Sequence, residues 1–362
     1  MSRRENLCSR SANRCARPKC LYIAYKTPMG RRKQAARLIM KAILIRDGGH
    51  SADDLYVGDV PRPEVGRGHV LIRVSHAGVN RPDILQRQGS YPPPPGASPI
   101  MGLEVAGTVE TVNSDENLWK AGDRVCSLVN GGGYAEYVSV DARHLLPVPR
   151  GLSEAEAAGL PEVCLTVYAN LVEHGALQAG ETVLVHGANS GIGSMTVMMA
   201  KGFGARVIAT VRGAERAAWV QALGADHIID TSDSDFVTPV KDLGGADVVL
   251  DIMGGDYTPK NILCLKHRGR IVQVGMIRGN TTQIELPRLM QKQGILTGSM
   301  LRPRSSDEKA RLSAAVAERV WPLIEGGAIR PVLARVFDAA DAGAAEAYLD
   351  SGQHTGKVVL RW

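Results

Sequence analysis

The sequence predicts an α/β protein: a β-rich, barrel-like first half followed by a doubly wound parallel sheet. Three observations predict it. From Met40 to about Pro149 short apolar runs alternate with turn residues. After Leu152 the apolar runs are separated by helical stretches, which implies a parallel sheet covered on both faces. The apolar run Thr182–Val185 feeds straight into the glycine-rich His186–Gly193. A chain of 362 residues exceeds one comfortable core. Four segments are expected: a basic extension over 1–39, a first part of the barrel domain over 40–162, the parallel-sheet domain over 163–302, and a return to the barrel over 303–362.

The extension lacks helical or strand periodicity. Residues 1–40 hold eleven Lys or Arg against one acid, Glu5. A targeting peptide, an upstream start and an unstructured tail all fit this composition. Cys8, Cys15 and Cys20 lie here without a histidine, so no closed zinc site is expected. The extension alone produces the isoelectric point near 9.0, because elsewhere 32 Lys and Arg face 36 Asp and Glu. A mildly acidic body argues against a nucleic-acid partner. No apolar run is long enough to span a bilayer, so no membrane partner is expected. Cys126, Cys164 and Cys264 are widely spaced and read as buried thiols of a reducing compartment, hence a cytoplasmic location.

In the first half, strands are expected at Met40–Ile45, Val70–Val74, Val105–Val109, Arg124–Cys126 and Ala135–Val138. Ser153 with Glu156 three residues on has capping-box spacing and should start a helix. Next come a strand at Thr182–His186, a helix through Met195–Lys201, a strand at Arg206–Val211 and a helix to Leu223. Further strands are expected at His227–Asp230, Ala246–Asp251, Arg270–Gly275 and Ile295–Met300. A helix from Asp307 to Ile324 and a strand at Gly356–Leu360 close the chain.

Strand, glycine turn and helix in that order make a pyrophosphate site, since glycines admit the ligand and the helix's first N–H groups face its charge. The spacing is GxxxGxG (Gly187, Gly191, Gly193) rather than the commoner GxGxxG. At the end of the second strand of this unit no carboxylate stands ready for ribose hydroxyls; Arg212 and Arg216 bracket the turn at Gly213. Cations there favour the 2′-phosphate of NADPH. Glu215 and both arginines also fit a solvated helix start. Glycines near later strand ends (Gly254 and Gly255, Gly275, Gly298) would let a dinucleotide approach closely.

Further motifs are Gly78-Val79-Asn80-Arg81-Pro82-Asp83, Arg87-Gln88-Gly89-Ser90-Tyr91 with the prolines 92–95, Gly102-Leu103-Glu104-Val105-Ala106-Gly107, and Gly131-Gly132-Gly133-Tyr134-Ala135-Glu136-Tyr137. With these the chain resembles the medium-chain dehydrogenase/reductase superfamily over residues 40–362, and within it the zinc-free quinone oxidoreductases, especially the p53-inducible branch. The resemblance implies a GroES-like barrel catalytic domain, a Rossmann NADP-binding domain and a homodimer, with edge pairing near Ile295–Met300 as its candidate contact. It implies cofactor contacts at Ser190, Gly191, Ile192, Gly193, Arg212, Gly213, Arg216, Thr231, Gly275, Met276 and Met300. It further implies a nicotinamide and acceptor cleft lined by Asn80, Tyr91 and Thr166. Two positions depart from the family pattern: Asp230-Thr231 replaces the usual Tyr or His, and Asn189-Ser190 replaces smaller loop residues.

Zinc-bearing members of the superfamily carry ligands where this chain has Ser75-His76-Ala77-Gly78 and Leu103, so no metal is expected. Without a Lewis acid the acceptor must itself be electrophilic. The expected reaction is hydride transfer from NADPH to a small-molecule quinone, with Asn80 and Tyr91 as the catalytic candidates donating hydrogen bonds. An activated alkene, such as an enoyl thioester or alkenal, is the rival acceptor. A non-catalytic nucleotide-binding or RNA-associated protein is the alternative of another class, resting on the basic extension.

Overall fold

The computed structural model describes residues 38–115 and 118–362. All of the extension before Leu38, with its three cysteines, lies outside them. A two-stranded antiparallel ribbon opens the described chain, β1 (Ile39–Ile45) with β2 (Leu55–Pro61). The barrel strands follow: β3 (His69–Val79), β4 (Glu104–Asn113), β5 (Arg124–Leu128), β6 (Tyr137–Asp141) and β7 (Leu145–Pro147). The second sheet comprises β8 (Thr182–Val185), β9 (Arg206–Val211), β10 (His227–Asp230), β11 (Ala246–Asp251), β12 (Leu265–Gln273) and β13 (Ile295–Gly298). β14 (Leu333–Asp338) and β15 (Lys357–Arg361) end the chain.

The second sheet is parallel throughout, in the order β10-β9-β8-β11-β12-β13. This is the Rossmann doubly wound arrangement, with the order reversing between β8 and β11. The first sheet runs β14-β15-β3-β4-β5-β7, with β6 also on β3. The last strand therefore returns to the barrel, as Val359 pairs with Gly78. One apolar core runs through both parts. It joins Ala106, Cys126 and Leu146 of the barrel to Cys164 and Leu165 of the helix Pro161–Tyr168, then to Val183, Met195 and Val207 of the Rossmann side. Cys126, Cys164 and Cys264 are buried free thiols.

Several boundaries differ from the pattern in the sequence, each for a local reason. The helix after the glycine turn starts at Gly191, four residues before Met195, because the Ser190 hydroxyl caps it by accepting the Gly193 N–H at 3.0 Å. The expected helix Asp307–Ile324 is two helices, Ser306–Arg319 and Trp321–Glu325. Pro322 has no N–H and crowds the residue before it, so the break falls at Val320. The strand expected at Ala135–Val138 forms over Tyr137–Asp141, while Ala135 makes a single bridge to Ala42. β12 begins at Leu265 rather than Arg270, with Arg268 turned to φ +59° inside it.

Candidate active site

The parallel register aligns the carboxyl ends of the Rossmann strands. Ala209 stands opposite Val185, Leu250 opposite Val185, Asp251 opposite Gln273 and Gln273 opposite Gly298. The glycine turn, the 252–255 turn, Val274–Met276 and Ser299–Met300 therefore share one edge. This edge is where open α/β sheets bind ligands.

At the turn Gly187 adopts φ +59°, and a Cβ on Gly193 would lie 2.3 Å from the Gly187 carbonyl oxygen. Both glycines are sterically required, so the helix start presses onto the strand end. The first-turn N–H groups of Gly191 and Ile192 have no acceptor inside the helix and face the edge. Donors of this kind fit the pyrophosphate of a dinucleotide. Other strand-end glycines serve a different purpose. A Cβ on Gly275 would meet Ile252 O at 2.8 Å, on Gly254 would meet Gly279 O at 2.7 Å and on Gly255 would meet Arg278 O at 2.6 Å. They are small because two turns pack on each other, which needs no ligand. Met276 and Met300 project into solvent. Met300 borders an open groove of about 380 Å³ shared with Glu173, His174, Arg304 and Glu308.

Past β9, Gly213 has φ +93° and nothing within 4 Å of where a Cβ would stand. Arg212 is exposed, and among the described residues it has no ion-pair partner. Arg216 donates to Gly352 O at 2.9 Å and so pins the loop before β15. Asp230 lies against the same corner, both carboxylate oxygens accepting the Gly213 N–H at 3.1 Å. Hydrogen bonds from the Ser232 hydroxyl and then from Gly213 hold its carboxyl below the usual range. Thr231 bonds back to Val211 O through its hydroxyl at 3.1 Å. The turn at Gly213, where the 2′-phosphate is expected, is thus flanked in sequence by Arg212 and Arg216 and braced by the Asp230 carboxylate.

Asn80 caps the helix Arg81–Arg87, and its side chain is buried. Its Oδ1 accepts from Lys357 Nζ at 2.5 Å, while its Nδ2 donates to Glu104 Oε1 at 2.9 Å. Lys357 Nζ also pairs with Glu104 Oε1 at 2.7 Å. Lys357 passes over Gly191, where a Cβ would be 2.9 Å from its Cδ, so Asn80 is brought next to the glycine turn. Tyr91 is half-buried. Its carbonyl accepts from Arg302 at 3.1 Å, and the guanidinium carbon stands 5.0 Å from its ring centre. Burial, then the Glu162 charge, raises its hydroxyl. Arg302 lies two residues beyond Met300, so Tyr91 is joined to the end of β13. Thr166 is buried, its carbonyl accepting from Asn170 Nδ2 at 2.7 Å; Asn170 Oδ1 in turn accepts from Ser299 at 2.7 Å.

Six residues of this region escape the sequence reading. Glu104 and Lys357 form the buried pair beneath Asn80. Asp83 accepts from Asn80 N at 2.8 Å, Gly102 N at 3.2 Å and Tyr134 OH at 3.3 Å. Burial, with a contribution from Glu346, pushes its carboxyl up to about 8. Glu162 is half-buried, the other residues of the helix Pro161–Tyr168 being fully buried, and its carboxyl end is the enclosed part. Burial of its carboxyl, then the Glu104 charge, pushes it up to about 7. Arg302 and Lys309 are buried without a carboxylate partner among the described residues. Arg302 holds Asn130 O at 2.8 Å and Gln86 Oε1 at 2.7 Å; Lys309 holds Asn130 Oδ1 at 2.7 Å. Burial, then Arg302, lowers the Lys309 ammonium to about 8. The available signals were the Glu inside Gly102–Gly107 and the Gly356-Lys357 pair before an apolar strand.

His76 is half-buried, its Nδ1 3.1 Å from Ser75 Oγ. Among the described residues no group of three or more His, Cys, Asp or Glu side chains is placed to hold a metal ion. No helix among them is long and apolar enough to cross a membrane.

Comparison with known proteins agrees with this architecture. Residues 66–150 match the alcohol dehydrogenase GroES-like domain and 191–318 the zinc-binding dehydrogenase model. The quinone oxidoreductase of Thermus thermophilus, whose structure was also solved with NADPH, is 35% identical. The match covers 89% of this chain and all of that one, with a TM-score of 0.76. This chain belongs to the quinone oxidoreductase family of the medium-chain dehydrogenases/reductases. The oxidoreductase is also similar to CurK enoyl reductase, at 26% identity over 89% of this chain and 99% of that one, with a TM-score of 0.78. The spectinabilin polyketide synthase system protein NorB of Streptomyces orinoci is 32% identical over 86% of the chain. The chain spans only 14% of the length of that polyketide synthase.

Proposed function

We propose that this oxidoreductase takes hydride from NADPH and delivers it to a quinone without a bound metal. The observation that carries the reading is Asn80, a hydrogen-bonding amide held beside the glycine turn by Lys357. Gly191, Ile192 and Gly193, behind the Ser190 cap, would hold the pyrophosphate. Arg212, Gly213, Arg216 and Thr231 would surround the adenosine phosphate, and Thr166, Gly275, Met276 and Met300 would line the way to the nicotinamide. Bound NADPH supplies the hydride. Asn80 and Tyr91 donate hydrogen bonds to the acceptor oxygen, where negative charge gathers as hydride arrives. Ser75 and Leu103 offer no metal ligand, so the acceptor's conjugation must spread that charge.

Steady-state rates with NADPH across a panel of benzoquinones and naphthoquinones test this, alongside zinc analysis and a chelator control. Failure to reduce any quinone, or activity that follows bound zinc, would remove the proposal. The CurK and polyketide synthase likenesses favour a second reading, reduction of the C=C bond of an enoyl thioester. A higher kcat/KM for a crotonyl thioester than for any quinone would establish it.

The same reading includes a homodimer. β13 is the sheet edge, and Ile295, Leu296, Leu286 and Met290 are exposed on or beside it. An apolar open edge is a pairing surface. Sedimentation of the wild type and of Ile295→Asp should give a dimer and a monomer respectively; an unchanged mass for the variant would reject this interface.

A further inference from the structure

We propose that Lys357 and Glu104 are positioning residues whose ion pair fixes the Asn80 amide as a hydrogen-bond donor toward the reacting end of the cleft. The inference rests on the proposed role of Asn80 in that cleft. An isolated asparagine amide can turn over and offer either end. Here the Lys357 ammonium donates to Oδ1 and the Glu104 carboxylate accepts from Nδ2. Turning the amide would set N–H against ammonium and C=O against carboxylate, two repulsive contacts with buried charges. One amide hydrogen is taken by Glu104. The other meets only Gly78 O at 3.5 Å, beyond a good hydrogen bond. Asn80 therefore keeps an N–H to offer, with its oxygen already engaged by an ammonium. That N–H suits the oxygen of an acceptor or of a carboxamide.

The surroundings are shaped for this pair. Glu104 is wholly buried, and a Cβ on Gly78, near the end of β3, would fall 2.1 Å from its Oε1. Gly191 and Gly159 make room for Lys357, where Cβ atoms would come within 2.9 and 3.2 Å of its stem. The second Glu104 oxygen accepts the Glu162 N–H at 2.9 Å, so the carboxylate is satisfied on both sides. A buried ion pair gains little over apolar packing, because desolvation offsets its attraction. Nor is the pair needed to dock the last strand, since β15 already pairs with β3 from Val358 to Arg361. Orienting Asn80 is the task that the pair performs and strand pairing does not.

The test is a double-mutant cycle on the full chain with Lys357→Met and Asn80→Ala, reading kcat and both KM values with NADPH and a benzoquinone. Each single change should lower kcat on the order of tenfold to hundredfold. The double variant should be no slower than Asn80→Ala alone, and Lys357→Arg should recover part of the loss. Additive losses, or an unchanged kcat in Lys357→Met, would overturn the proposal. If Lys357→Met does not fold, the charge-neutral Lys357→Met/Glu104→Gln chain takes its place in the cycle. A second readout needs no turnover: hydrogen exchange of the Asn80 side-chain amide in ¹⁵N-asparagine-labelled protein, its signal identified by loss in Asn80→Ala. Protection should fall at least tenfold when Lys357 is replaced, and unchanged protection rejects the proposal. A wild type that reduces no acceptor yet shows this loss would refute the proposed function alone.

Discussion

Beside Asn80 two ion pairs are buried: Lys357 with Glu104, and Arg87 with Glu346 at the far end of the helix that Asn80 caps. Around Gly213 the charges stand in solvent, with Arg212 unpaired among the described residues and Asp230 tied only to nearby N–H and hydroxyl groups. The proposed reacting end is thus held by paired ions, at the cost of desolvating them. The adenosine end is a field of mixed sign that solvent screens. Changes at the first end should damage stability and chemistry together, and changes at the second should move cofactor preference alone.

Glu104→Ala should have the largest effect. It leaves the Lys357 ammonium buried without its carboxylate and frees the Glu162 N–H, a loss of about 3–5 kcal/mol. A fall in the thermal midpoint on the order of 10 °C is expected, measured by scanning calorimetry. A midpoint within about 2 °C of wild type would mean that the pair is not buried as described. At the other end, Arg212→Ala with Arg216→Glu should leave the midpoint nearly unchanged. It should raise the KM for NADPH on the order of tenfold or more while moving that for NADH little. Equal losses for both cofactors would rule out a phosphate role.

The two ends also differ in how far the sequence disclosed them. The glycine turn is contiguous, so strand, Gly187–Gly193 and helix could be read as one unit. The Rossmann strands were legible because each is a short apolar run between helices. Asn80, Glu104 and Lys357 come from three segments, and they meet only because β15, β3 and β4 are neighbours. No local pattern announces that adjacency. Arg302 holds Tyr91 from 211 residues away for the same reason. The strand-end glycines are ambiguous in the sequence for the opposite reason. Gly254, Gly255 and Gly275 are conspicuous in the sequence, but turn-to-turn packing accounts for them.

Asp230 sharpens the contrast at the exposed end. Its carboxylate accepts the Gly213 N–H, at the turn that Arg212 and Arg216 flank in sequence, and would oppose a phosphate there. Asp230→Asn should improve the NADPH-to-NADH ratio of kcat/KM by about twofold to fivefold, as a solvent-exposed charge permits. The ratio should converge on that of wild type in high salt. A fall in the ratio would mean that Asp230 supports phosphate binding through the turn it braces.

A slope with pH, rather than a single value, also separates the ends. Glu162 titrates at about 7 in the folded chain against 4.5 for an unhindered glutamate, chiefly through burial. The folded state therefore binds this proton more tightly than the unfolded one. Its contribution to stability is complete below about 4.5 and is lost as pH rises through about 7. Asp83, raised to about 8, acts in the same direction. Asp230 is shifted the other way, so its contribution is present above 3.8 and is lost only in acid. Between about pH 5 and pH 8 these two carboxyls pull the thermal midpoint of wild type down, against His76, His144, His186 and His354, which burial holds below the usual imidazole range and which pull it up. Glu162→Gln, which cannot titrate, loses one of these downward pulls, so its midpoint should fall less, or rise more, with pH than that of wild type, while Asp230→Asn should follow the wild-type slope. Parallel slopes for Glu162→Gln and wild type would show that this carboxyl is already ionised when folded, and would place it with the solvent-screened charges around Gly213.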